Sequence, residues 1–121
     1  MKKLTEKEEA IMAIFWDQEK AFAKDVRAAL PEPKPHINTV STAIRKLVDK
    51  GFLAFEDFGS THRYYPVIKK EEYSSQVITP KLTGLFGNSY KNVVAFFVKE
   101  EKLSVEELKD VIRMIEKGEE K

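Results

Sequence analysis

The chain has 121 residues and no cysteine, with two histidines, five glycines and five prolines. Lack of cysteine excludes disulfides, thiolate metal sites and a thiol nucleophile. His36 and His62 stand far apart in the sequence, outside any metal-ligand spacing. There is no glycine-rich phosphate loop and no nucleophile elbow, and the carboxylates are scattered over helix surfaces. An enzyme is therefore not expected, and neither is a metal or other cofactor. No apolar run approaches the roughly 18 residues of a membrane span, so membrane insertion is not expected. The first ten residues, MKKLTEKEEA, lack the apolar centre of a signal peptide, which points to the cytoplasm.

A strong charge imbalance is missing too. The net charge is +1. Residues 1–70 carry 13 Lys/Arg against 10 Asp/Glu, a balance of +3, and residues 71–121 carry 8 against 10, a balance of −2. That asymmetry has the sign expected of a DNA-binding N-terminal half, but it is small. What the chain does have is 42% hydrophobic and 34% charged residues, the composition of a folded globular protein.

The local signals run in a definite order. Thr5 and Glu8 form a capping box that opens a helix with Ile11, Met12, Phe15 and Trp16 at helical spacing, to about residue 17. Residues 18–22 read as a connection. A short helix over 23–30 ends at Pro31, Pro33 and Pro35, since proline neither continues a helix nor favours one before it. A third helix spans 37–50, with Val40, Ala43, Ile44, Leu47 and Val48 on one stripe and Gly51 as its stop. Strands over 53–58 and 62–67 flank Gly59, Ser60 and Thr61, a hairpin signal. Three helices followed by a β-ribbon make a winged helix-turn-helix.

The remainder reads as helical. Residues 69–78 form a helix that Pro80 should break or kink before residues 81–86, and Gly87 and Asn88 mark a turn. A fifth helix over 89–100 holds six consecutive apolar residues, Val93 to Val98, so it needs cover on several sides. Ser104 and Glu107 cap a sixth helix with a stripe of Val105, Leu108, Ile112 and Ile115. The fold class is thus mainly α with a small β-wing: a winged-helix DNA-binding domain over 1–70 and a three-helix dimerisation lobe over 71–121. About 50 residues rarely sustain their own core without a staple. A homodimer is inferred, with Phe86, Val93, Val94, Phe96, Phe97, Val98, Leu108, Ile112 and Ile115 at its interface.

The polar face of the third helix is the candidate reader of double-stranded DNA. Asn38, Thr39, Ser41 and Thr42 lie in its first turns, with Arg45 and Lys46 further along. Such side chains suit base edges and phosphates. On the wing, His62 and Arg63 are candidate DNA contacts, Arg63 with phosphate. The competing reading is a winged helix used as a protein–protein adaptor without DNA affinity.

The segments LTEKEEAIMAIFW, TVSTAIRKLVDKGFL, RYYPV and NVVAFFVKEEKLSVEELKDVIRMIEK resemble the BlaI/MecI penicillinase-repressor family along essentially the whole chain. The resemblance implies a dimeric repressor on a palindromic operator, a regulator of antibiotic resistance, with the third helix in the major groove. It places Thr39 and Thr42 at DNA-contacting positions and Lys46 at a usually basic one. It also implies induction by a membrane-bound sensor protease that cuts within the fifth helix, here at Phe96–Phe97. Three departures stand out. His36 replaces a capping Ser, Asn38 and Ser41 replace residues that are often basic, and Phe96 replaces the usual Asn before the cut. A copper-sensing branch with a cysteine-rich motif is excluded by the lack of cysteine.

Overall fold

The computed structural model describes residues 2–118. Helix α1 (Glu6–Gln18) begins at the expected capping box: the Thr5 hydroxyl accepts from the Glu8 amide at 3.1 Å, and the Glu8 carboxylate accepts from the Thr5 amide at 2.9 Å. Glu6, Glu8 and Glu9 also suit the positive end of the helix. The helix buries Glu8, Ile11, Met12 and Phe15.

The expected connection over 18–22 contains a strand, β1 (Ala21–Phe22). Two residues are too few to show the alternation by which a strand is recognised. Helix α2 (Ala23–Ala29) ends one residue earlier than expected. The three prolines beyond it offer no N–H groups, so its last carbonyls need another donor. Lys34 supplies it: its ammonium donates to the carbonyls of Ala28 at 2.8 Å and Leu30 at 2.6 Å. Arg27 Nε donates to the Pro35 carbonyl at 2.7 Å and closes the turn. Lys34→Met should lower stability by about 1–2 kcal/mol in urea unfolding, because it strands these carbonyls at a negative helix end.

Helix α3 (Ile37–Asp49) buries Val40, Ile44 and Leu47. It stops in a Schellman arrangement: the Gly51 amide donates to Val48 and the Phe52 amide to Leu47, at 3.0 and 2.9 Å. Gly51 has φ of 84°, a conformation that costs glycine nothing. Leu47 and Phe52, joined by that bond, are both fully buried.

Strand β2 (Leu53–Phe58) matches its expected span, and β3 runs over Thr61–Pro66 rather than 62–67. The loop is two residues, Gly59 and Ser60, because Thr61 already pairs with Phe58. Gly59, with φ of 69°, allows the tight turn. The sheet order is β1-β3-β2, all antiparallel, with Ala21 opposite Tyr64 and Leu53 opposite Pro66.

Helix α4 (Lys70–Tyr73) widens into a π-helical stretch, Ser74–Ile78, before α5 (Thr79–Gly84). The expected break at Pro80 is met by this widening. Proline removes the donor to Gln76 and crowds its carbonyl, and a π turn absorbs both. Tyr73 ties α4 to the N-terminal core. Its hydroxyl accepts from the Leu4 amide at 3.0 Å and donates to Glu9 at 2.9 Å. Burial first, and then the Glu9 carboxylate, push its pKa above the ordinary value and keep the donor proton in place. Trp16, expected in the core, packs on Tyr73 at 5.9 Å and donates its indole N–H to Ile68 at 2.9 Å.

The chain forms two compact units, Met1–Ile78 and Thr79–Lys121, against an expected boundary after residue 70. The first holds the core of α1, α2, α3 and the sheet. In the second, Ser89 caps α6 (Tyr90–Lys99), and Ser104 with Glu107 caps α7 (Val105–Glu116). Among the described residues of this unit only Thr83 and Val93 are buried, and α7 buries none.

Candidate nucleic-acid interface

One side of α3 is core, so its other side is fixed in place with its polar groups outward. The helix opens on His36, whose ring Nδ1 accepts from the Asn38 amide at 3.0 Å. An imidazole thus does the capping work of a serine hydroxyl, provided Nδ1 is unprotonated.

The helix is pinned at its far end as well. Lys50 places its ammonium 2.7 and 2.8 Å from the two carboxylate oxygens of buried Glu8. Burial alone would raise the Glu8 pKa, but hydrogen bonds from Lys50 and Thr5 outweigh it and hold the carboxyl below its ordinary range. Helix α3 is therefore anchored to the first turn of α1 by a charged pair.

The outward residues divide between two concavities. Asn38, Thr39, Thr42 and Lys46 line one together with Thr5 and Lys7. Ser41 and Arg45 turn towards the wing, into a cleft of about 480 Å³ shared with Lys24, Ser60, Thr61, His62 and Tyr64. Arg45 also donates to the Thr42 hydroxyl at 3.3 Å. The His62 ring is wedged edge-on against Phe55, 4.3 Å away, with Tyr64 beyond it. Its Nδ1 lies 3.1 Å from Asp57 but makes no well-aligned hydrogen bond.

Arg63 is not in this group. Strand residues alternate, so His62 and Tyr64 share one face of the wing and Arg63 takes the other. There its Nε and NH2 donate to Glu56 at 3.1 and 2.9 Å, and its guanidinium lies 4.8 Å over the Phe58 ring. Lys20 approaches the same carboxylate at 3.6 Å. The Arg63 hydrogen bond, with help from Lys20, lowers the Glu56 pKa. Lys24, outside the set of residues expected at the interface, lines the same cleft from the first turn of α2.

Among the described residues no group of His, Asp or Glu is arranged to hold a metal, and no helix is long and apolar enough to cross a membrane.

A helix with its polar face outward, set beside an antiparallel ribbon on a three-helix core, defines a winged helix-turn-helix protein. The model of one family, the penicillinase repressor, matches residues 4–117. The chain belongs to that family of DNA-binding transcriptional repressors, which regulate antibiotic resistance. No curated protein matches the chain.

Proposed function

We propose that the chain is a dimeric, sequence-specific repressor that works in the cytoplasm and reads each half of a palindromic operator with α3. The observation that carries this reading is the polar side of α3. Asn38, Thr39, Thr42, Arg45 and Lys46 are exposed there, while the opposite side is locked into the core. Asn38, Thr39, Ser41 and Thr42 sit in the turns that usually meet base edges, and Arg45 and Lys46 lie further along, within reach of base or phosphate. His62 and Arg63 on the wing contact phosphate, and Arg63 does so by exchanging Glu56 for it.

The dimer reading is supported by the apolar surface left open on the C-terminal unit. Phe96, Ile112 and Ile115 are 42%, 47% and 57% exposed, and Val94, Val105, Val111 and Met114 lie open as well. Val93, Phe97 and Val98 lie on α6 and Leu108 on α7, and the Phe86 ring packs 5.2 Å from that of Phe96. A second copy would cover this surface, and the linked half-sites would then lie roughly 34–36 Å apart.

Induction by a membrane-bound sensor protease cutting Phe96–Phe97 is part of this reading. That bond is helical: the carbonyls of Phe96 and Phe97 accept from Glu100 and Lys102, each at 2.9 Å. Cutting requires local opening of α6.

The test is selection of bound duplexes from a random pool by the full chain and by Thr39→Ala and Thr42→Ala variants. The full chain should enrich a palindrome. Each variant should lose about 1–3 kcal/mol of discrimination at one position per half-site while keeping non-specific binding. A pool without enrichment sinks the repressor reading. The adaptor reading has one observation in its favour: Glu56 occupies Arg63 and Lys20, and Glu8 occupies Lys50, which thins the free positive charge. It expects no duplex binding even at low salt.

A further inference from the structure

We propose that the cleft between α3 and the wing seats one backbone phosphodiester of bound duplex DNA, held by Lys24, Arg45 and His62. The proposal rests on the DNA-binding reading above and assigns its contacts.

Three separate elements deliver the cationic and imidazole groups to this cleft: α2 brings Lys24, α3 brings Arg45 and β3 brings His62. Ser41, Ser60 and Thr61 add hydroxyls, and no carboxylate is among the lining residues. Asp57 lies outside that lining, 3.1 Å from His62 Nδ1.

The contrast with the neighbouring cations is informative. Lys20 and Arg63 share Glu56, and Lys50 is held by Glu8. Neither Lys24 nor Arg45 has a carboxylate partner among the described residues. Arg45 gives only one guanidinium nitrogen to Thr42, so its remaining donors are free to turn into the cleft. A lining with positive charge, hydroxyl donors and no carboxylate of its own suits an oxyanion.

A base edge fits the cleft less well. Asn38, Thr39 and Thr42, which can pair with or touch base edges, line the other concavity. The two concavities on either side of α3 therefore divide the work, one reading bases and the other fixing the helix against the strand. Phosphate contacts of this kind set register and carry no sequence information.

The experiment uses the full chain on its selected duplex. Lys24→Gln and Arg45→Gln should each reduce the slope of log affinity against log salt by about 1, with base preference unchanged. Both side chains are exposed, so the variants should keep the wild-type urea midpoint. In a second arm, single phosphates of the duplex are replaced by uncharged methylphosphonates. One position per half-site should weaken the wild-type chain yet add nothing to the loss already seen with both substitutions combined. An unchanged salt slope, or an additive loss at every position, overturns the cleft assignment while leaving DNA binding intact. A change in base preference with Arg45→Gln overturns it as well, because Arg45 would then be reading bases. Competition by free inorganic phosphate at millimolar concentration would make the cleft a small-anion site and overturn the DNA assignment. If the unaltered chain binds no duplex at all, the reading beneath the proposal fails with it.

Discussion

A chain ending at Phe96 is expected to bind the operator about 10²–10⁴-fold more weakly than the full chain, with the same base preference at each half-site. The truncation removes α7 and the last turn of α6, and with them Val98, Leu108, Ile112 and Ile115. The α3 helix and the wing lie in the other compact unit and stay whole. What is lost is linkage. Two joined half-site contacts become two independent ones, and the second no longer benefits from high effective concentration. Ile112→Asp should give the same loss without shortening the chain, by placing a charge in a surface that has to be dry when paired. Fluorescence anisotropy on one and two half-sites, together with sedimentation, checks both variants. Equal affinity of full and truncated chains, or a full chain that sediments as a monomer at micromolar concentration, would refute the dimer.

Lys50→Met should cost about 2–3 kcal/mol of folding stability in urea, below the full effect of breaking a wholly buried pair because Lys50 is partly exposed. The pH dependence gives a sharper test. In the unaltered chain the Glu8 carboxyl has a lowered pKa. Its contribution is therefore complete above the unfolded value of about 4.3 and is lost as pH falls through the lowered folded value. Without Lys50 the burial of Glu8 is opposed only by its Thr5 hydrogen bonds, so its pKa rises relative to that of the unaltered chain. The variant then gains less stability than the normal chain as pH rises from below the lowered folded value through about 4.3. The gap between the two should widen with pH over that range. A constant gap would mean that Lys50 acts through packing of its aliphatic stem. Because the pair anchors α3, the variant should also bind DNA less tightly at temperatures well below its unfolding midpoint.

Much of the fold was legible because its signals are short-range. The capping boxes at Thr5 and Ser104, the Gly51 stop and the strand β2 each depend on a few consecutive residues. The stripe of Val40, Ile44 and Leu47 needs only helical geometry. The expected loop over 59–61 was one residue too long, since Thr61 is as compatible with a turn as with a strand and only its pairing with Phe58 decides. Pro80 gave a correct warning of distortion, but not its form, a π turn spread over the preceding residues.

The candidate site was legible only by element. That α3 presents Asn38, Thr39, Thr42, Arg45 and Lys46 outward follows from its core stripe. Which of these face the wing does not, because that depends on the rotation of α3 against a sheet formed later in the chain. His36 shows the same limit on a smaller scale: its identity suggests a poor cap, and only the backbone entry angle brings Nδ1 to the Asn38 amide.

Read alone, the sequence determined the winged-helix order, the helix that carries the polar face, and an apolar C-terminal surface too large for its own unit, because periodicity and capping are local. The tertiary structure alone decided three things. It recruited Ala21 and Phe22 into the sheet, turned Arg63 away towards Glu56, and brought Lys24 from another helix beside Arg45 and His62. The first and last need residues distant in the sequence to meet in space, Ala21 with Tyr64 and Lys24 with Arg45 and His62, over separations at which side-chain chemistry by itself carries no information about direction; the second needs the hairpin register that sets Arg63 opposite Glu56.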